Sequence, residues 1–179
     1  IWNSPIVCRA KNKKNLYVAA QYIFKSTDQG RNWSVISPDL TTNDKKKQQQ
    51  ENSGGLSADN TSAENHCTVF TIAESPLNEQ LIWAGTDDGN LQLTLDGGKT
   101  WKNLSSNYIA CGIPPQTWIS SIEASGFDQN TVYVTLDNHT YGDHQTYLIK
   151  SIDMGKTFTR IQSKEFTGFA HKIKEDLVN

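Results

Sequence analysis

The sequence has little net charge and no long apolar run. Its 179 residues contain 17 Lys and Arg against 19 Asp and Glu, a formal net charge of −2. A balanced chain of this kind has no electrostatic footprint for a polyanion, so we predict no nucleic-acid partner. No apolar segment reaches the roughly 20 residues that a membrane helix needs, so we predict no membrane insertion.

Cysteine is scarce as well. Cys8, Cys67 and Cys111 form no C-x-x-C pair, so their spacing indicates neither a zinc site nor a disulfide framework. Buried free thiols are the favoured interpretation, and one disulfide with one thiol left over is the alternative. We predict no metal and no cofactor.

Polar turn residues are abundant instead. Ser, Thr, Asn and Asp make up about a third of the chain, and these residues favour turns and caps over helix interiors. This composition argues against a helical bundle. The five Trp, six Tyr and six Phe predict many short strands, each anchored by an aromatic side chain.

One eight-residue motif occurs three times. It reads Ser/Thr-x-Asp-x-Gly-x-Thr/Asn-Trp/Phe at residues 26–33, 94–101 and 151–158, which we call the first, second and third repeated turns. Each copy lies between two strand-like runs and therefore predicts the turn of a β-hairpin, in which side-chain oxygens bind backbone N–H groups and Gly supplies a positive φ. The residues to which we assign this structural role are Ser26, Asp28, Gly30, Trp33, Thr94, Asp96, Gly98, Trp101, Ser151, Asp153, Gly155 and Phe158.

Two further apolar runs precede each repeated turn, so a unit of four strands, A to D, recurs along the chain. Four-stranded antiparallel units in series predict an all-β fold, a β-propeller segment of about three blades. The polar stretches at 45–50 and 53–55 are expected to be mobile. The predicted divisions are blade 1 at about 1–37, an insertion at 38–66, blade 2 at about 67–105, blade 3 at about 117–163 and the start of a fourth blade at 166–179.

The repeated motif resembles the Asp box, or bacterial neuraminidase (BNR) repeat, of sialidases, xyloglucanase-type glycosidases and the sortilin ectodomain. The segments Ile36-Ser37-Pro38-Asp39-Leu40-Thr41, 70–76 and 83–89 look like those of large bacterial sortilin-like proteins often labelled glycosyl hydrolase. The resemblance implies a propeller whose boxes stabilise the C–D hairpins away from the ligand face. It also implies a secreted, periplasmic or cell-surface protein.

Ligands of propellers usually bind on the face made by the D–A and B–C loops. The B–C loop at 136–146 is the richest, because Asp137, His139, Asp143 and His144 place two carboxylates and two imidazoles close together. Such a set suits a metal or a general acid and base, which makes these residues catalytic candidates. Ordinary turn residues are the favoured interpretation, so we expect mostly exposed side chains without a strongly shifted carboxylate.

Three aromatic residues are candidates for the ligand face. Tyr108, Trp118 and Tyr141 would stack on sugar rings if exposed there, whereas packing within a blade is the alternative. The turn Asp87-Asp88-Gly89-Asn90 lacks the closing Glu of a calcium loop, so we predict an Asp-Gly hairpin turn.

The sequence does not contain the full set of catalytic residues of either glycosidase family that the repeated motif resembles. A sialidase-like site needs three converging arginines, and Arg9, Arg31 and Arg160 are not expected to converge. A xyloglucanase-type site needs two carboxylates across a cleft, for which the loop candidates are Asp39, Asp87, Asp137 and Asp143.

The function predicted from the sequence is therefore a non-catalytic binding or scaffolding segment of a larger exported protein. It would present loops to a protein or glycan and adjoin the remaining blades of its propeller. The alternative is part of a glycoside hydrolase, xyloglucanase-type or sialidase-like, with catalytic residues partly outside this chain.

Overall fold

The computed structural model describes residues 4–8, 14–49, 66–176 and 178. These residues form three four-stranded antiparallel sheets, and in each sheet the strands are hydrogen-bonded in sequence order. Blade 1 consists of β1 (Ile6–Cys8), β2 (Leu16–Ala19), β3 (Ile23–Ser26) and β4 (Ser34–Val35). Blade 2 consists of β5 (Val69–Glu74), β6 (Ile82–Thr86), β7 (Leu91–Thr94) and β8 (Lys102–Asn103). Blade 3 consists of β9 (Trp118–Ala124), β10 (Val132–Asp137), β11 (Tyr147–Ser151) and β12 (Thr159–Arg160).

The prediction of an all-β fold of three antiparallel blades is confirmed. Each repeated turn joins the third and fourth strands of its blade. The described residues also include two short helical elements between strands, which the sequence did not predict. They are α1 (Ser105–Ile109) and a 3₁₀ turn (His139–Tyr141).

The three repeated turns share one hydrogen-bond pattern. In each, the hydroxyl of the first residue donates to the Asp Oδ1 at 2.8, 2.8 and 2.7 Å and accepts the Gly N–H at 2.8, 2.9 and 2.8 Å. The N–H of the seventh residue donates to the same Oδ1 at 2.9 Å in all three turns. The Asp side chains thus accept hydrogen bonds from their own turns, as the motif predicts.

The second and third repeated turns also contact the blade before them. Trp101 Nε1 donates to the Ile36 carbonyl at 2.9 Å, and a methyl group on Gly98 would lie 2.5 Å from that carbonyl oxygen. A methyl group on Gly155 would lie 2.9 Å from the ring of Trp83 in blade 2. Each of these turns therefore fixes the position of its own blade against the preceding one.

The aromatic residues that end the repeated turns differ in burial. Phe158 is buried, whereas the ring of Trp33 is 42% exposed. Trp33 Nε1 donates to the carbonyl of Gly30 in its own turn at 3.0 Å. Packing of the ring against a neighbouring blade is therefore not a uniform property of the motif.

The apolar core lies between adjacent blades. One cluster joins blades 1 and 2 and includes Tyr17, Ile23, Val69 and Ile82. The other cluster joins blades 2 and 3, and every residue of β6 is buried. Strands buried on both faces are expected where a sheet is covered on both sides.

The described part of the insertion packs against blade 2. Leu40 is buried, and its carbonyl accepts hydrogen bonds from Asn90 Nδ2 at 2.9 Å and Gln92 Nε2 at 3.0 Å. Lys45 Nζ donates to Asn43 Oδ1 at 2.7 Å. The stretch at 53–55 lies outside the described residues, so its expected mobility stays a prediction.

The segment after β12 contacts β9 in space. Ser120 Oγ donates to the Ala170 carbonyl at 3.2 Å, and Lys174 Nζ lies 2.5 Å from Glu123 Oε2. Glu175 accepts the Gly126 N–H at 2.7 Å. The described residues from 161 onward form no strand, so a fourth blade beginning at 166 stays a prediction.

Two further observations concern the described part of the chain. Cys8 is exposed, Cys67 is buried and Cys111 is partly buried, and none of these three described cysteines forms a disulfide. The described residues include no helix that is both long and apolar enough to span a bilayer.

Candidate functional site

Blade 3 has two ends that differ in sequence and structure. Antiparallel pairing places the end of β10 beside the start of β9, since Asp137 pairs with Trp118. The loop end consists of this pair, the connection at 138–146 and the segment at 161–171. The turn end consists of the connection at 125–131 and the third repeated turn.

A buried carboxylate lies at the centre of the loop end. Asp137 is 1% exposed, and its Oδ1 lies 2.6 Å from His139 Nδ1 and accepts the His139 N–H at 3.0 Å. The Oδ2 atom lies 3.4 Å from His171 Nδ1. The expectation that this side chain would be solvent-exposed is therefore wrong. The reason is that two imidazoles and a backbone N–H provide the hydrogen bonds that water would otherwise supply.

Aromatic rings pack beside the two imidazoles that contact this carboxylate. The Phe70 and Trp118 ring centroids are 4.5 Å apart, those of Trp118 and His171 are 5.5 Å apart, and Phe169 stacks on His139 at 4.6 Å. We call these five residues, Phe70, Trp118, His139, Phe169 and His171, the ring cluster. Phe169 is 44% exposed, and the side chains of His139 and His171 are 36% and 53% exposed. The cluster therefore presents rings to solvent above a buried acceptor.

Asp143 and His144 lie beside the ring cluster. Asp143 Oδ2 accepts hydrogen bonds from the Tyr147 hydroxyl at 2.7 Å and from Asn138 Nδ2 at 3.1 Å. These bonds, the tyrosine bond first, lower the pKa of Asp143. His144 is exposed, and its ring centroid lies 6.4 Å from that of Phe169.

The three aromatic candidates for the ligand face have different environments. Trp118 belongs to the ring cluster, and Tyr141 is exposed with its hydroxyl 3.4 Å from Lys47 Nζ. The expectation that Tyr108 contributes to an exposed face is wrong. Tyr108 lies on α1, is fully buried and donates to the Gly89 carbonyl at 2.6 Å. Burial is also the main cause of the raised pKa of its hydroxyl.

The adjacent acids Asp87 and Asp88 connect chain segments. Asp88 is buried and accepts hydrogen bonds from the Thr42 N–H and hydroxyl, both at 2.7 Å. Asp87 accepts the Thr68 N–H at 2.7 Å, and burial raises the pKa of Asp87. The two acids therefore join the insertion and the start of blade 2 to the turn after β6. Among the described residues, no three His, Cys, Asp or Glu side chains are grouped so as to hold a metal ion.

Three members of the ring cluster, Phe70, Phe169 and His171, were not singled out as site residues in the sequence. Phe169 and His171 follow a period-two alternation with Ile173, which predicts that the three residues share one face of an extended segment. That pattern is the signal that identifies Phe169 and His171 as neighbours. The proximity of His171 to Asp137, 34 residues earlier, has no local signature.

Structural comparison shows that the chain shares its fold with β-propeller proteins. An ancestral GH74 enzyme matches with a TM-score of 0.61 at 16% identity, covering 88% of this chain and 18% of that one. The GH74 enzyme of Niastella koreensis matches with a TM-score of 0.56 at 21% identity, covering 88% of this chain and 22% of that one. The GH74 xyloglucanase from Xanthomonas campestris matches with a TM-score of 0.56 at 15% identity, covering 89% and 23%.

This chain spans about a fifth of the length of these solved structures. At such identities the likeness shows the fold alone. No protein-family model matches the chain, and no curated protein matches it.

Proposed function

We propose that this chain is a non-catalytic, glycan-binding segment of a β-propeller, and that the loop end of blade 3 is its ligand face. The observation that carries the proposal is the ring cluster. Phe169 and His139 stack on each other and are both partly exposed. Sugars are bound by flat apolar rings combined with a few fixed hydrogen-bonding groups.

Asp137 gives the ring cluster its rigidity. Its two oxygens contact the Nδ1 atoms of His139 and His171. Both imidazoles are therefore positioned through the same ring nitrogen, which leaves the Nε2 atom of each ring for other contacts. Fixed polar groups beside a ring lose little conformational entropy when a ligand binds. This arrangement therefore supports recognition of a polar ligand with a flat face.

Hydrolysis fits the two loop carboxylates less well. Glycosidases use two carboxyl groups about 5–9.5 Å apart on opposite sides of the scissile bond, and the general acid needs a raised pKa. Asp137 is buried against imidazoles, whereas the pKa of Asp143 is lowered. The second candidate function, part of a glycoside hydrolase with catalytic residues partly outside this chain, has the support of the fold shared with GH74 enzymes.

We extend the proposal to the parent protein. The three repeated turns are Asp boxes, and the identical hydrogen-bond pattern of all three supports this assignment. The segment belongs to a larger exported protein of the sortilin-like kind and packs against further blades. The coverage of only about a fifth of each matched enzyme is compatible with such a parent.

A glycan and polysaccharide array tests the proposal. The Phe169→Ala variant should weaken binding about tenfold, because one stacking surface is removed. Phe127→Ala is the matched control, since Phe127 is 57% exposed at the turn end and should bind normally. Absence of any bound saccharide, or equal loss in both variants, would overturn the proposal. Cleavage of a bound polysaccharide that is lost in Asp137→Asn would favour the hydrolase.

A further inference from the structure

A cavity of about 410 Å³ lies next to the ring cluster at the loop end. Its walls come from the connection at 138–146, from the end of β12 and from the segment after β12. The Thr146 hydroxyl donates to the Gly168 carbonyl and thereby joins two of these walls. Polar residues that line the cavity are His144, Gln145, Thr146, Arg160, Gln162 and Ser163.

Arg160 supplies a fixed positive charge to this cavity. Its guanidinium lies 5.0 Å from the centroid of the Tyr147 ring, and Nη2 donates to the Thr146 carbonyl at 3.4 Å. Arg160 Nε is buried without a hydrogen-bond partner. Within the described part of the chain, no acidic side chain forms an ion pair with Arg160. An arginine positioned in this way has guanidinium N–H groups available for an anion.

The rest of the lining suits a sugar ring. The amides of Gln145 and Gln162 and the hydroxyl of Ser163 are able to donate and accept hydrogen bonds, as sugar hydroxyls require. Phe166, which is partly exposed, provides an apolar wall. None of the residues that line this cavity is acidic. A volume of this size lies within the range of small-molecule sites, about 300–1,000 Å³.

We propose that this cavity binds an anionic sugar residue through Arg160, the negative group being a carboxylate or a sulfate. The inference rests on the proposed glycan-binding function and specifies its ligand class. A carboxylate matches the planar guanidinium fork, and a sulfate offers the same oxygen acceptors. His144 lies on the cavity wall and also near Phe169, so the cavity and the ring cluster form adjacent subsites.

Matched monosaccharides test this inference in NMR titrations of the full chain. Methyl glucuronide and the 6-sulfate of methyl glucoside should bind at least about tenfold more tightly than methyl glucoside, because a charged hydrogen bond is added. The Arg160→Gln variant should lose that preference and retain the binding of methyl glucoside. Arg160→Lys keeps the charge without the fork and should show an intermediate preference. The tighter of the two anionic sugars identifies the source of the negative group.

Arg31→Gln is the matched control, because Arg31 is an exposed arginine of the first repeated turn and should leave all affinities unchanged. Equal affinity for neutral and anionic sugars, or a preference that survives in Arg160→Gln, would overturn the inference. An acidic peptide that binds as tightly as methyl glucuronide would also overturn it. The two proposals fail in different ways: no response to any of the three sugars would refute the glycan-binding function, whereas an equal response to all three would refute only this inference.

Discussion

Each end of blade 3 contains a carboxylate that accepts hydrogen bonds, but the donors come from different parts of the chain. At the turn end, Asp153 binds donors from its own turn, the N–H and hydroxyl of Thr157, at 2.9 and 2.7 Å. At the loop end, Asp137 is bound by one local imidazole and by His171, which is 34 residues away in sequence. The turn end is therefore encoded locally and repeats in all three blades. The loop end depends on segments that meet only in the folded chain, and its residues occur once.

The largest effect should come from a glycine substitution in a repeated turn that contacts another blade. Gly98 has a φ of 104° in the second repeated turn, and a methyl group would collide with the backbone of Ile36. We expect Gly98→Ala to lower the free energy of unfolding by about 2–4 kcal/mol, measured by urea unfolding. Gly112 also has a positive φ, 86°, but nothing lies within 4 Å of its added methyl group.

Gly112→Ala is therefore the control for backbone strain without the contact between blades. It should cost only about 1–2 kcal/mol. Equal losses in the two variants would show that the contact of the second repeated turn with Ile36 contributes nothing to stability.

The acid response should have opposite signs for Asp153 in the third repeated turn and for Asp87 in the B–C turn of blade 2. Hydrogen bonds from the Thr157 hydroxyl and N–H lower the pKa of Asp153 from 3.8 to about 2. Because this pKa is depressed in the folded state, its contribution to stability is present above pH 3.8 and is lost as the pH falls toward about 2. At the end of blade 2 that carries the B–C turn, burial raises the pKa of Asp87, so ionisation of Asp87 lowers stability as the pH rises above its unfolded value.

Denaturant unfolding between pH 2 and pH 6, roughly the range of carboxyl titration, measures both effects. Asp153→Asn should reduce the loss of stability on acidification, whereas Asp87→Asn should remove a loss that develops as the pH rises. If both variants change the pH profile in the same direction, the two carboxylates do not differ in environment as described.

The smallest effect concerns the segment that closes the loop end. The His171 side chain is half exposed and its Nδ1 lies 3.4 Å from Asp137 Oδ2. A glutamine amide can replace this one long hydrogen bond, so we expect His171→Gln to lower the free energy of unfolding by about 0–1 kcal/mol. Hydrogen exchange of residues 169–176 should nevertheless become faster, because one link to Asp137 is removed. Lys172→Gln, an exposed neighbour, should leave both measurements unchanged. A loss above about 2 kcal/mol in His171→Gln would mean that this segment unfolds only with the core.

The sequence predicted the blades because their signals are local. Each repeated turn carries its hydroxyl, carboxylate and glycine within five residues, and the strands of blade 3 follow from runs such as 118–124. Tyr108 was misjudged because α1 is only five residues long and gives no readable helical period. Helices of that length depend on packing rather than on propensity.

The loop end was only partly predictable for a different reason. The composition of 136–146 is polar, and polarity alone predicts exposure, as it did incorrectly for Asp137. The contact of His171 with that carboxylate and the stacking of Phe169 on His139 are tertiary events. The residues of the candidate site could therefore be found on their loops, but their relation to one another could not.

The contact of each later turn with an earlier blade has a consequence for the newly made chain. Trp101 bonds to Ile36, 65 residues closer to the N-terminus, and Gly155 rests on Trp83. During synthesis the ribosome therefore releases the receiving surface before the residue that docks on it. The blades can therefore fold one after another in the direction of translation, each packing against the blade completed before it.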